Sequence, residues 1–211
     1  MKRKLAVIAG TFNPLTNAHL ALGKTAKEQL GEECQVLYIP AKSGFLKSWK
    51  HMADDEIIAD EIRCRMLEET VSDEGFLCDR CEVEGIVSGK TYDTLRYLSG
   101  KHGVEAKDVY FVCGTDKLPE LSQWYCSEAM LYEFRFLIVQ RNHDNGDQMI
   151  EDDLFLRQYR ESFVLISGED EFQDISATEV RRAMQAGRLD RIRGHVPPNI
   201  YRTLERMVTY D

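Results

Sequence analysis

Leu5-Ala6-Val7-Ile8-Ala9 runs without interruption into Gly10-Thr11-Phe12-Asn13-Pro14-Leu15-Thr16-Asn17-Ala18-His19. Five consecutive apolar residues are what a strand buried on both faces requires. Gly10 permits a close backbone approach, and Pro14 stiffens the loop that follows. The next helix is expected to open near Thr16 to Ala18, which puts His19 in its first turn. Unpaired backbone N–H groups and the positive end of the helix dipole meet there, and an anion, usually phosphate, is the natural occupant. A histidine so placed either donates hydrogen bonds to a phosphate whose charge grows during a reaction or simply caps and packs. This segment alone leaves both readings open.

Outward from it, Ala18, Leu22, Ala26 and Leu30 recur at helical spacing over 18–30, with Gly31 as a stop. Strands are expected at 35–39, 76–83, 109–113, 135–139 and 163–166, and helices at 91–99, 127–133, 177–186 and 199–208. Residues 41–53 read as polar and irregular, and Asp54 as the cap of a long helix with Ile57, Ile58, Ile62, Met66 and Leu67 on one face. Residues 143–147 read as a solvent loop. Strands alternating with helices imply right-handed βαβ units. The expected fold is α/β, a Rossmann-like, doubly wound, mostly parallel sheet with a small C-terminal helical subdomain, all in one domain over 1–211 with the helical part from about residue 176. Ligands of such sheets bind beyond the carboxyl ends of the strands, so the chemistry is expected after the first, fourth or last strand.

The chain of 211 residues carries 27 Lys and Arg against 36 Asp and Glu, a net charge of −9, which argues against nucleic acid or anionic lipid as a partner. No apolar run approaches the ~18 residues of a membrane helix, and Leu5–Ala9 reads as a first strand rather than a leader. Of six cysteines, Cys34, Cys78 and Cys113 lie in or beside strand-like runs and read as reduced core residues in a cytoplasmic protein. Cys78-Asp79-Arg80-Cys81 has no second pair of ligands, so no metal site is expected there. Gly85-Ile86-Val87-Ser88-Gly89-Lys90-Thr91 falls one residue short of a phosphate-binding P-loop, and no G-x-G-x-x-G follows a strand.

After the last strand comes Ile175-Ser176-Ala177-Thr178-Glu179-Val180-Arg181. Ser176 and Glu179 fit a capping box. Ser176, Thr178 and the local N–H groups make a second polar helix start, and Arg181 sits one turn in, within reach of a bound anion. An ordinary capped helix would read the same way.

Taken together, the two segments resemble the paired signatures of the nucleotidyltransferases that share an (H/T)-x-G-H motif, and most closely the bacterial nicotinate-nucleotide adenylyltransferase family. Thr91 with Asp93-Thr94-Leu95, Gly114-Thr115-Asp116, Gln123-Trp124-Tyr125 and Leu137-Ile138-Val139 with Arg141 extend the resemblance over most of the chain. Ala18 departs from the family's glycine, Asn13 from its common aspartate and Lys90 from its frequent tyrosine.

The resemblance implies transfer of AMP from ATP to nicotinate mononucleotide, with pyrophosphate released and Mg²⁺ carried by the ATP phosphates. It implies that Gly10, Thr11, Phe12, Thr16, His19, Gly114, Asp116, Ile175, Ser176, Thr178 and Arg181 bind ATP. His19 would stabilise the transition state, and Lys47, with Lys42 as its substitute, would supply a second cation. Asn13, Lys42, Thr91, Trp124, Tyr125 and Arg141 would hold the pyridine mononucleotide, with Trp124 stacking on the ring. A phosphopantetheine adenylyltransferase and a non-catalytic nucleotide-binding regulator are the alternatives. Association between copies of the chain is left open.

Overall fold

The computed structural model describes residues 3–48, 52–140, 144–168 and 175–210. Strands β1 (Lys4–Gly10), β2 (Cys34–Pro40), β3 (Leu77–Cys78), β4 (Val109–Gly114), β5 (Arg135–Gln140) and β6 (Phe163–Ser167) form one sheet in the order β3-β2-β1-β4-β5-β6. Every strand pair is parallel. The α-helices among the described residues are α1 (Asn17–Leu30), α2 (Ser43–Ser48), α3 (Asp60–Asp73), α4 (Thr91–His102), α5 (Ser127–Glu133), α6 (Gly146–Asp152), α7 (Ala177–Gln185) and α8 (Pro198–Tyr210).

Strand residues alternate between two cores, as a period of two demands. Ala6, Ile8, Val36, Tyr38, Val112 and Leu137 face one layer, where they meet Leu20 of α1, Leu67 of α3, Val180 of α7 and Leu204 of α8. Leu5, Val7, Leu37, Ile39, Phe111 and Phe136 face the other, against Leu95 of α4, Leu131 of α5 and Ile150 of α6. Both faces are therefore covered, which is why β1 reads as an unbroken apolar run. The C-terminal helices α7 and α8 close the same core as β1 and α1. Strand order reverses between β1 and β4, and the loops leaving β1 and β4 flank that point.

Four local expectations differ from the structure. Residues 41–53 are not all irregular, because α2 forms within them and buries Leu46. Asp54 does not cap a long helix. It opens one 3₁₀ turn, Asp54–Glu56, and α3 starts later, at Asp60, with Ala59 before it. The strand expected at 76–83 is two residues long. It stops because the Asp79 carboxylate accepts the Cys81 N–H at 3.0 Å and the Lys101 ammonium at 2.7 Å, which folds the chain into turns. Gly146 is not in a solvent loop but begins α6. A Cβ there would come within 2.8 Å of the Leu165 side chain, so glycine lets the helix start lie against β6 without displacing that leucine. His143 lies outside the described residues.

All six cysteines are free thiols, and among the described residues no group of three or more His, Cys, Asp or Glu could hold a metal. None of the described helices is long and apolar enough to cross a membrane.

Because Leu204 of α8 is wholly buried in the core shared with β1, Leu204→Ala should lower the stability of the whole protein by about 2–5 kcal/mol. Urea unfolding should show one transition shifted to lower denaturant. A separate early transition with the main midpoint unchanged would mean that α8 is not part of the common core.

Candidate active site

The loop leaving β1 enters α1 through Thr16, whose extended backbone makes it the N-cap. His19 occupies the third helical position, where a glutamate or glutamine usually closes a capping box. Its Nδ1 accepts the backbone N–H of Thr16 at 3.0 Å, and the Thr16 hydroxyl lies 2.8 Å from the same nitrogen. A nitrogen that accepts an amide N–H cannot carry a proton, so the neutral ring bears its proton on Nε2, the other edge. The half-buried imidazole is thus set as an Nε2–H donor. The Phe12 ring packs edge-on against it, with centroids 5.3 Å apart. Phe12 has φ 42°, and burial of its ring holds that left-handed backbone in place.

Three cations and amides tie the back of this loop to distant segments. Ala41 N–H donates to Gly10 O at 2.8 Å. Arg63 of α3, fully buried, donates to Thr11 O, to Ala41 O at 2.7 Å and to Ile58 O at 3.1 Å, and pairs with Asp60. Asn13 donates to Glu56 O at 2.8 Å and accepts the Ile58 N–H at 2.9 Å. Burial pushes the Asp60 carboxyl up, but hydrogen bonds from Ser43 and Arg63 outweigh it and hold the group below the usual carboxylate range.

The second signature arrives at the same loop. Ser176 caps α7, its hydroxyl accepting the Glu179 N–H at 3.2 Å, with Ile175 buried just before it. Arg181 donates from one terminal nitrogen to Asn13 O at 2.9 Å and from the other to the exposed Thr178 hydroxyl at 3.1 Å. Its Nε is buried with no hydrogen-bond partner among the described residues. Burial lowers the guanidinium from its ordinary value, Glu56 countering in part. An anion beside it would satisfy the Nε and recover that cost. The start of α1 is also held by the C-terminal region, since Asn17 N–H donates to His195 O at 2.9 Å.

Several expected ligands are spent elsewhere. The Thr16 side chain is fully buried and turned to His19, so it does not face a phosphate. The Asn13 side chain is fully buried, its amide nitrogen donating to Glu56 O and its oxygen accepting the Ile58 N–H. The Phe12 ring is buried and the Thr11 carbonyl is bound to Arg63, while the Thr11 side chain is only half-buried. Lys47 pairs with Asp54 at 2.8 Å. Lys42 makes no ion pair among the described residues, and its ammonium reaches toward the turn at Gly85.

Across the reversal point, Gly114 ends β4 and is buried, while Asp116 is exposed and paired with Lys117 at 3.2 Å. Trp124 is half-buried, its ring edge-on to Phe111 at 5.7 Å between centroids, and Tyr125 beside it is exposed. Thr91 opens α4 and is partly exposed. Arg141 lies outside the described residues.

A sequence model described as "Cytidylyltransferase-like" matches residues 7–183. The chain belongs to the cytidylyltransferase-like family. It is 33% identical over 141 residues to a Streptococcus pyogenes serotype M3 protein named "Probable nicotinate-nucleotide adenylyltransferase". That match spans 66% of this chain and 63% of the streptococcal protein. A Clostridium acetobutylicum protein of the same name is 28% identical over the full length of both chains. Among solved structures, a Plasmodium falciparum nicotinic acid mononucleotide adenylyltransferase complexed with APC superposes with a TM-score of 0.71 at 16% identity, over 99% of this chain and 98% of that one. At that identity the superposition establishes the shared fold.

In this cytidylyltransferase-like chain, sequence reasoning missed Arg63, Asp60 and Tyr38. A signal existed for Arg63. It sits among Ile62, Met66 and Leu67 on the apolar side of α3, where an arginine is buried only if its donors are satisfied. Tyr38 carried none, because a tyrosine in a buried strand reads as core.

Asp60 ionises more easily folded than unfolded, so its contribution is fully present above the unfolded value near pH ~4 and is lost as pH falls through the folded one. Asp60→Asn should therefore flatten the loss of stability on acidification below about pH 4. Urea midpoints measured from pH 6 down to pH 3 check this (about the range where carboxylates titrate). An unchanged slope would remove Asp60 from the acid response.

Proposed function

We propose that the chain transfers AMP from ATP to nicotinate mononucleotide, giving deamido-NAD and pyrophosphate. The observation that carries this reading is the bond from Arg181 to Asn13 O, which brings the two phosphate-binding signatures to one loop at the reversal point of the sheet. The names of the streptococcal and clostridial relatives supply the substrate.

In this reading, an oxygen of the mononucleotide 5′-phosphate attacks the α-phosphorus of ATP in line. The bond from that phosphorus to the bridging oxygen of the β-phosphate breaks, and pyrophosphate leaves with the electron pair. No proton need be removed from the nucleophile, which is already ionised, so positioning and charge stabilisation carry the catalysis. His19 donates from Nε2 to an α-phosphate oxygen as charge gathers there. Arg181, with the capped start of α7 and the Ser176 and Thr178 hydroxyls beside it, holds the β- and γ-phosphates. Gly10, Thr11 and Phe12 contribute backbone, and Gly114 and Asp116 line the ribose side.

The ion pair of Lys47 with Asp54 favours Lys42 as the cation beside the mononucleotide phosphate. Trp124 and Tyr125 offer the aromatic surface for the pyridine ring, with Thr91 at the neighbouring helix start. Mg²⁺ is brought in on the ATP phosphates as part of the substrate. Free thiols fit a reducing cytoplasm.

Pyrophosphate should be released from ATP only when a pyridine mononucleotide is also present. A panel of the acid mononucleotide, the amide mononucleotide and 4′-phosphopantetheine, each with MgATP, tests this. Turnover of phosphopantetheine instead, or ATP binding with no turnover at all, would replace the reading.

His19→Ala should lower kcat by about 10²-fold or more with KM for ATP little changed, the scale of losing one transition-state donor. Arg181→Ala should raise KM for ATP by about tenfold or more, the cost of a charge-assisted contact. An unaltered KM for ATP would release Arg181 from its role.

A further inference from the structure

The Nδ1 bond to Thr16 fixes which way the His19 ring faces, but it does not fix where the first turn of α1 stands relative to the sheet. That is a separate constraint, because His19 and its cap could move together along the sheet and keep their bond. One side chain from the neighbouring strand touches this turn by hydrogen bond. Tyr38, in the middle of β2, is completely buried, and its hydroxyl donates to the main-chain carbonyl of His19 at 2.9 Å. The same hydroxyl lies 3.4 Å from Leu20 O. Burial pushes the phenol up, so the group remains a donor.

We infer that Tyr38 is a positioning residue for catalysis, which anchors the backbone of His19 to β2 and so sets the distance of the imidazole from the reacting phosphate.

Two further features show that the contact is built rather than incidental. α1 carries glycine at position 23, one helical turn after His19, and a Cβ there would lie 2.3 Å from the Tyr38 oxygen. Glycine inside a helix costs roughly 1 kcal/mol against alanine, so the chain gives up helix stability where the hydroxyl needs the space. The ring is also held on both sides. Phe76 stacks at 6.1 Å, and Phe12 packs at 5.7 Å on the side where Phe12 itself meets His19. Tyr38 thus reaches His19 twice, through a hydrogen bond to its backbone and through Phe12 to its ring. A displacement of about 1 Å at a reacting group can cost as much as 10²-fold in rate, so a modest loosening of this anchor is measurable.

The inference rests on the catalytic reading of His19, and a double-mutant cycle separates the two. Tyr38→Phe keeps the ring and removes one oxygen. It should lower kcat about 3- to 10-fold, the scale of one net hydrogen bond, with KM for ATP nearly unchanged and the unfolding midpoint lowered by no more than the loss of one such bond. In the His19→Ala background the same change should leave kcat where it is, because there is no imidazole left to position. Gly23→Ala, which drives the hydroxyl off the carbonyl, should reproduce the loss in the otherwise native enzyme and add little to Tyr38→Phe.

A 15N spectrum of the imidazole groups gives a readout independent of turnover, in which Tyr38→Phe should shift the His19 signals. An unchanged kcat in Tyr38→Phe, an equal loss in both backgrounds or an unmoved His19 signal would each overturn the inference while leaving His19 its role. A native kcat in His19→Ala would instead overturn the catalytic reading, and this inference with it.

Discussion

The Thr16 N–H that points at Nδ1 of His19 is the constraint on which the site depends. A helix leaves its first amides without internal partners, and here one of them is satisfied by a ring nitrogen rather than by a carboxylate. The exchange has a chemical consequence. Glutamate at the third position would bring negative charge to this helix start, whereas imidazole closes the same box through Nδ1 and leaves the proton of its neutral form on Nε2. Under the proposed reading, local helix capping and preparation of a phosphate donor are one arrangement.

That arrangement needs a loop of defined shape before it, and the loop cannot define itself. Its carbonyls at Thr11 and Asn13 lie beyond the β1–β2 ladder, which the Gly10 carbonyl closes, and all three need donors. They find them in Ala41 N–H, Arg63 and Arg181, from three widely separated parts of the chain. Arg63 satisfies several carbonyls at once because its planar fork offers fixed, divergent donors, and Asp60 balances its charge. Removing a core arginine of this kind would leave several buried acceptors open together, a larger penalty than the loss of one bond. Formation of the phosphate loop is thereby coupled to the docking of α3 and α7.

The charge balance sharpens the role of these cations. A chain of net charge −9 does not attract ATP at long range, and at physiological salt the field of its surface fades over roughly 8 Å. Under the proposed reading, recruitment of anions therefore falls to short-range groups at the carboxyl ends of the strands. Arg181 is held there with one buried nitrogen that has no hydrogen-bond partner among the described residues, while other cations, such as Arg80 with Glu61 and Glu68, are paired with carboxylates.

Much of this architecture was readable from residue order. Unbroken apolar runs such as Leu5–Ala9 mark strands covered on both faces, and their alternation with helical periodicity implies a parallel sheet with its ligand site at the reversal point. The two polar helix starts, at Thr16 and Ser176, were also visible, because capping is local and uses neighbours in sequence. The allocation of side chains was not. Whether Thr16, Asn13 or Lys47 faces a ligand or a neighbour depends on what the rest of the chain brings beside it, and here His19, the 56–58 segment and Asp54 lie within bonding distance of them. Arg63 and Tyr38 show the converse, residues that look like a helix cation and a strand aromatic until folding sets backbone carbonyls from elsewhere against them. Hydrogen-bond partners of buried groups are chosen over distances in sequence that periodicity does not span, and so they were settled only when the layers closed.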